Sequence, residues 1–310
     1  MIKVDSQTRH IGLFGNPCRH SLSPFIQNTF LDYYGINCIY TVFEPDSSNL
    51  KTAFYGAANL EFIGLNITMP FKEKVYYLVD KVEESSKIIK SVNTVKFVNK
   101  INENKNNEKT VESIGFSTDG LGFVKSLDDY NFNWKQKNCL MIGAGGAARS
   151  LSYEIIKKPI KSLLIFDINI SKANLIKRIV KNYNPNINVK VLNKIIDAEK
   201  IYDDINLIIN CTPLGMELKD SDNVKKIPIP NSWSLKNKYV FDLVYNPIDT
   251  MLLKKAKKEK AALSVSGIYM LVNQAAYSFY FWFNIMPQKE IIERVLKKII
   301  KITKNKKICK

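Results

Sequence analysis

One stretch narrows the fold more than any other. Residues 139–148, CLMIGAGGAA, run from an apolar, strand-like segment straight into closely spaced glycines and on into a helix-like run over 146–158. Gly143-Ala144-Gly145-Gly146-Ala147-Ala148 is a G-x-G-x-x-A turn. Gly143 permits the tight bend, Gly145 lets the backbone approach a pyrophosphate, and Ala148 is small enough for helix to pack on strand. The helix N-terminus then faces the phosphate charge. Beyond it follow SLLIFD, a helical run over 171–183, and the strand-like NVKVL, NLIINCT and YVFDLVY. Parallel strands need crossovers of this length, usually helical, so a doubly wound sheet is expected from about residue 120.

Asp167 closes the second strand of this series. A carboxylate there accepts hydrogen bonds from the adenosine ribose hydroxyls and repels a 2′-phosphate. The following INISK holds no arginine to grip such a phosphate. On this chemistry NAD is preferred over NADP.

The first hundred residues also alternate strand-like and helix-like runs. HIGLFG reads as a strand, SPFIQNTFLDYYG as a helix with Pro24 early and Gly35 at its end, and CIYTVFE and FIGLNIT as strands. SVNTVKFV and TVESIGFS read as a strand pair around the polar segment 99–109, an expanded hairpin tip with no apolar face to bury. In GLNITMPFKEK the strand stops at Pro70, which donates no ladder hydrogen bond, and Lys72 follows at the strand end. Such positions carry site residues more often than an arbitrary surface lysine does.

The net charge of +17 raises the question of a nucleic-acid partner. The positive charge is nearly all lysine; the arginines are only Arg9, Arg19, Arg149, Arg178 and Arg294. Arginine's planar fork is the usual reader of phosphates and guanine edges, and no aromatic stripe interleaves the basic clusters. A basic, non-enzymatic nucleic-acid binder is therefore the remote alternative. No nucleic acid is expected as a partner. Residues 261–288 lack charge and are long enough to span a bilayer, but Asn273 and Gln274 interrupt them and Gly267 is expected to break them. The reading there is strand, turn, buried helix, with no membrane partner. Five dispersed cysteines and two histidines offer no metal-ligand spacing, and such cysteines suit a reducing compartment. The N-terminal stretch lacks the apolar core of a signal peptide, so a cytoplasmic protein is expected.

Eight motifs, GNPCRHSLSP, NITMPFKE, SVNT, STDG, GAGGAAR, NCTPLGM, DLVYNP and GIYMLVNQAAYSF, stand in one order between Ile11 and Phe283. In that order the chain resembles the shikimate dehydrogenases. The resemblance implies reversible, nicotinamide-dependent reduction of 3-dehydroshikimate to shikimate, in chorismate and aromatic amino-acid biosynthesis, with the NAD-using quinate/shikimate dehydrogenases as the nearest alternative. It implies that Lys72 and Asp119 are the catalytic pair. It also implies that Ser21, Ser23, Asn66, Thr68, Asn93, Tyr245 and Gln274 contact the substrate. Cofactor contacts are implied at Gly143, Ala144, Gly145, Gly146, Ala147, Asp167, Thr212, Leu243 and Gly267. Residue chemistry agrees for the first pair, because ketone reduction builds negative charge on oxygen that a nearby proton donor must neutralise. Ser23, ahead of Pro24, is also placed to cap a helix.

Two motifs depart from the family pattern. Ser117 replaces the usual asparagine before Thr118-Asp119, and Asp167-Ile168-Asn169 stands where the NADP-binding members carry Asn-Arg-Thr. The family default is NADP; Asp167 favours NAD. The expected fold is α/β in two domains: an α/β substrate domain over 1–118, completed by C-terminal helices over 268–310, and a Rossmann-type nucleotide domain over 119–267. The protein is expected to be a monomer or homodimer.

Overall fold

The computed structural model describes residues 4–102, 108–217 and 222–305. The chain divides into two compact units. One joins the residues up to Asp119 with Gln274–Val295, and the other joins Gly120–Asn273 with the chain from Leu296 on.

The first unit runs β1 (Arg9–Phe14), α1 (Ser23–Tyr33), β2 (Cys38–Phe43), α2 (Leu50–Asn59), β3 (Gly64–Ile67), α3 (Lys72–Tyr76), β4 (Lys81–Val82), α4 (Glu84–Ile89), β5 (Thr94–Asn102) and β6 (Glu108–Phe116). Its six-stranded sheet has the order β2-β1-β3-β5-β6-β4. β1 pairs parallel with β2 and β3, whereas β5 runs antiparallel to β3 and β6. β3 is buried along its whole length, which is why its sequence GLNI shows no in–out alternation. Phe14, Phe54, Leu65, Phe71, Val75 and Val95 form the core beside it. α1 carries Pro24 in its first turn, where a missing N–H leaves no bond unmade. Gly35 follows the helix at φ +62°, a left-handed conformation that glycine adopts without strain. The expected cap is not Ser23: the Ser21 hydroxyl accepts the Ser23 N–H at 3.1 Å, and Ser23 is already the first helical residue. The β5–β6 ladder extends from Thr94↔Phe116 to Asn102↔Glu108, further than the apolar pattern suggests. Backbone pairing needs no apolar face, so polar residues continue it. The rest of the expected loop, 103–107, lies outside the described residues.

The chain continues with α5 (Asp119–Asp128), β7 (Asn138–Ile142), α6 (Gly146–Ile155), β8 (Ser162–Phe166), α7 (Ile170–Tyr183), β9 (Asn188–Leu192), β10 (Leu207–Asn210), β11 (Tyr239–Asp242), α8 (Met251–Lys258), β12 (Leu263–Ser266), α9 (Gly267–Phe283) and α10 (Lys289–Asn305). The sheet of the second unit is parallel throughout, in the order β12-β11-β10-β7-β8-β9. Alternate residues of β7 enter opposite cores: Cys139 and Met141 pack with Leu163 and Phe241, and Leu140 and Ile142 with Leu164 and Val240. Both faces are covered, so after Asn138 at its start every side chain of the strand is apolar. The order reverses between β7 and β10, the switch point at whose carboxyl ends ligands bind in such sheets.

Two local expectations change. The segment 261–288 divides at Gly267 into strand and helix as expected, but without the expected turn: β12 passes directly into α9 there. A Cβ on Gly267 would lie 2.0 Å from the Leu243 carbonyl oxygen, so the glycine serves close backbone approach. The first turns of α9 accordingly belong with the second unit, where Met270 joins the core of Phe123 and Phe241, rather than with the first as the 268–310 assignment had it. The expected strand YVFDLVY ends at Asp242, because the Val244 N–H bonds to the Asp242 carboxylate instead of a neighbouring strand. No helix of the described residues is long and apolar enough to cross a membrane.

Candidate active site

Lys72 opens α3 immediately after the turn at Pro70. Phe71, fully buried, anchors that turn in the core, and its N–H bonds to the Thr68 carbonyl at 2.9 Å. The Lys72 carbonyl accepts the Val92 N–H at 3.0 Å, which fixes the start of α3 beside the segment leading into β5. The Lys72 ammonium meets Asp119 Oδ2 at 2.6 Å, with both side chains largely withdrawn from solvent. The other carboxylate oxygen, Oδ1, accepts from Asn93 Nδ2 at 2.8 Å. The Thr118 main-chain N–H donates to Asn93 Oδ1 at 2.8 Å. A backbone N–H can only donate, so the Asn93 amide has one possible orientation, with its NH₂ toward Asp119.

Of the residues expected to contact substrate, Asn93 bonds to this pair and Gln274 to the neighbouring Thr118. Asn93 and Gln274 are both buried, and Gln274 Oε1 accepts from the Thr118 hydroxyl at 3.2 Å. Ser21 and Ser23 stand at the start of α1. Thr68 follows β3, half-buried, and its methyl occupies the space that a side chain at Gly15 would need. Asn66 is in the interior: its carbonyl oxygen accepts from Tyr40 and its NH₂ donates to Asn93, Thr94 and Ser278. Tyr245 belongs to the second unit, where burial pushes its phenol above the ordinary range.

The glycine turn follows β7 as expected. Gly143 adopts φ +100°, and a Cβ there would meet the Cys211 carbonyl carbon at 2.9 Å. Gly145 caps α6 without a side-chain hydrogen bond, and a Cβ on it would meet nothing within 4 Å. An open backbone turn ahead of an uncapped helix start fits a pyrophosphate, with Ala144, Gly146 and Ala147 completing the loop. Asp167 supports that loop: Oδ2 accepts the Ala144 N–H at 2.6 Å and Oδ1 the Asn169 N–H at 2.7 Å. Beside it Ile168 is 97% exposed. Thr212 follows β10, its N–H and hydroxyl both bonded to Asn210 Oδ1. Asn210 Nδ2 in turn donates to Asp242, which also accepts from Thr250 at 2.6 Å. Burial pushes the Asp242 carboxyl up to about 6, against the opposing pull of the Thr250, Val244 and Asn210 hydrogen bonds. Leu243 and Gly267 meet at the strand–helix junction described above. Among the described residues, no three His, Cys, Asp or Glu side chains come together as metal ligands.

Residues 13–95 match the family model of the shikimate dehydrogenase substrate binding domain, and residues 267–297 that of the shikimate 5′-dehydrogenase C-terminal domain. A shikimate dehydrogenase (NADP(+)) of Methanocaldococcus jannaschii is 34% identical over 303 residues, 97% of this chain and 100% of that protein. The chain belongs to the shikimate dehydrogenase family. A crystal structure of a family member in complex with NADP+ superposes with a TM-score of 0.81 at 30% identity, covering 96% of this chain and 98% of that one. The shikimate 5-dehydrogenase of Listeria monocytogenes, in complex with shikimate and NAD, gives 0.82 at 25% identity over 95% and 98%.

The sequence did not single out Tyr40, Thr94, Thr118 and Ser278 in the first unit, or Asp242 in the second. Thr94 and Thr118 lay inside the recognised motifs SVNT and STDG, and their neighbourhood was the available signal. Tyr40 and Ser278 sit on apolar-patterned elements, where one polar atom at a ring or helix position looks like any other.

Proposed function

We infer that the protein is a shikimate dehydrogenase, catalysing the reversible reduction of 3-dehydroshikimate to shikimate with NADP or NAD, in chorismate and aromatic amino-acid biosynthesis. The observation that carries this reading is the 2.6 Å Lys72–Asp119 pair, braced by Asn93, in a chain of this family. In reduction, the Lys72 ammonium donates its proton to the oxygen that becomes the hydroxyl; in oxidation, the Lys72 amine takes that proton back. Asp119 orients the ammonium, and Asn93 holds the carboxylate in place. Ser21 and Ser23 take the substrate carboxylate, while Thr68, Asn93, Tyr245 and Gln274 serve its hydroxyls. Such uncharged groups discriminate strongly, since a wrong substrate leaves them buried without partners.

A bound nicotinamide dinucleotide supplies or accepts the hydride. Gly143, Ala144, Gly145, Gly146 and Ala147 would hold its pyrophosphate and Asp167 its ribose, with Thr212, Leu243 and Gly267 as further contacts. The unit bearing Lys72 acts as the substrate domain and the parallel-sheet unit as the nucleotide domain. Asp167 beside an exposed Ile168 favours NAD over NADP and keeps a quinate/shikimate activity as the second reading. We place the enzyme in the cytoplasm, as a monomer or homodimer with no nucleic-acid partner.

The test is absorbance at 340 nm with shikimate or quinate, each with NAD and with NADP. Shikimate-dependent reduction of either cofactor is expected. Turnover of quinate alone would move the protein to the second reading, and no turnover of either acid would overturn both.

A further inference from the structure

Under the Lys72–Asp119 pair, the first unit encloses a set of uncharged polar side chains that the reaction as described does not use. Tyr40 is fully buried on β2, and its hydroxyl donates to Asn66 Oδ1 at 2.9 Å. Asn66 Nδ2 lies 3.1 Å from the Asn93 carbonyl, 3.1 Å from Thr94 Oγ1 and 3.0 Å from Ser278 Oγ. The Thr94 and Ser278 hydroxyls are 2.7 Å apart, and Ser278 also donates to the Gln274 carbonyl at 3.1 Å.

Chemistry fixes the direction of these bonds. A carbonyl only accepts, so the Asn66 NH₂ must face Asn93, and its oxygen must face Tyr40. The single Tyr40 proton is therefore committed to Asn66. Asn93 is gripped through its main chain by Asn66 and by the Ile67 N–H at 2.8 Å, and through its side-chain oxygen by the Thr118 N–H at 2.8 Å. Its NH₂ donates to Asp119 Oδ1 at 2.8 Å and to the Thr118 hydroxyl at 2.9 Å. The identified polar atoms of Asn66 are all engaged by protein, and the residue is only 6% exposed.

We propose that Asn66, locked by Tyr40, is a positioning residue rather than a substrate contact: it fixes Asn93, and through Asn93 the Asp119 carboxylate that aims Lys72. The proposal rests on the roles given above to Lys72 and Asp119. Tyr40 becomes a remote determinant of turnover, although it touches neither member of the catalytic pair. Burial pushes its phenol above the ordinary range, which keeps the proton that bonds to Asn66 in place. The hydroxyls of Thr94 and Ser278 complete a network in which each polar group has a partner, which in a low-dielectric interior specifies one arrangement.

The test variant is Tyr40→Phe, which keeps the ring and removes one donor. Steady-state kinetics with shikimate should show kcat falling by about tenfold while KM stays within about twofold, as expected for a misplaced catalytic group. A second measurement needs no substrate: acetylation of Lys72 by acetic anhydride, followed by mass spectrometry. A loosened Asp119 no longer holds the Lys72 Nζ in its 2.6 Å ion pair, so labelling of Lys72 should quicken by about threefold. A raised KM with unchanged kcat would mean that Tyr40 acts on substrate binding, through Asn66 or through Ser23, whose side chain it also bonds, and not on the aim of Lys72. A lowered Tm with kcat and Lys72 labelling unchanged would make the network merely structural. Either result overturns the proposal. Should Tyr40→Phe not fold, Ser278→Ala, which removes one acceptor from the Asn66 amide, should move kcat and labelling in the same directions by about threefold; no change in either overturns it too. A wild-type protein inactive on shikimate and quinate would refute the functional reading alone, because the labelling ratio still decides the positioning claim.

Discussion

Lys72 is one of many lysines in this chain, and what separates it from the rest is its surroundings. A turn anchored by buried Phe71 delivers it, and Asp119 receives it at 2.6 Å. Removing a general acid–base group typically costs about 10²–10⁴-fold in rate. Lys72→Ala should lower kcat by an amount in that range while circular dichroism and nucleotide binding stay normal. Lys72→Arg should not restore the rate, because a guanidinium does not release its proton near neutral pH. A near-normal kcat with a raised KM in Lys72→Ala would make Lys72 a binding residue. Asp167 sets a second expectation at this scale. Asp167→Ser removes a charge that repels a 2′-phosphate, so the ratio of kcat/KM with NADP to that with NAD should rise. A wild type that already strongly prefers NADP would remove the basis for this argument. Asp242 supplies a third. Its carboxyl rises from 3.8 unfolded to about 6 folded, so the fold binds the proton more tightly than the unfolded chain does. The resulting stabilisation is complete below 3.8 and is lost as pH climbs through about 6. Chemical denaturation of the wild type at pH 4 and pH 7 should therefore show a component favouring pH 4. Asp242→Asn should remove it, a change of up to about 3 kcal/mol. Equal pH dependence in both proteins would contradict the assignment.

Among the elements, the junction of β12 with α9 carries the sharpest steric requirement. The strand turns into the helix at Gly267 without a connecting loop, and the Leu243 carbonyl fills the space where a side chain would begin. Gly267→Ala puts a methyl 2.0 Å from that oxygen and 2.5 Å from the carbonyl carbon, both backbone atoms. Overpacking of this kind costs about 1–3 kcal/mol, read as a lower Tm, and nucleotide affinity should fall with it because the junction moves. A Gly267→Ala protein with wild-type Tm would mean that the junction yields freely. Gly145 makes the contrast within the same unit: its space is open, so alanine there should leave stability near wild type and act on nucleotide binding alone. On the function proposed above, two glycines adjoining parallel strands thus have different reasons to be glycine, one for packing and one for a ligand's approach.

At the scale of the whole molecule, the charge of +17 is the most visible property and the least connected with the chemistry. Many of the lysines pair with acids across one helical turn or between neighbouring segments, such as Lys125–Asp129, Lys157–Glu154, Lys255–Glu259 and Lys257–Asp249. An excess of lysine spread over exposed faces attracts polyanions only through counterion release, which fails steeply with salt. Binding to duplex DNA, followed by fluorescence anisotropy, should accordingly be lost by about 150 mM salt. Tight binding that survives there would revive the nucleic-acid reading.

Much of this protein is determined by its sequence alone. The parallel sheet follows from short apolar runs spaced by helical crossovers, and the turn after β7 from glycines whose spacing matches one backbone shape. The family follows from eight motifs in order. Those signals are local, or recur at fixed spacing, so a linear reading captures them. The length of the β5–β6 ladder was not legible, because main-chain pairing carries no side-chain signature. The division at Gly267 was legible, but its steric reason was not, because the atom that forbids a side chain there belongs to Leu243, 24 positions earlier in the chain. The same holds for the interior of the site. Tyr40, Asn66, Asn93 and Ser278 are far apart in sequence, and only folding brings them within 3.1 Å of successive partners. An asparagine amide is the same in every sequence; which atoms complete its hydrogen bonds is settled by the tertiary structure, since water is excluded and each donor must find its acceptor in the protein.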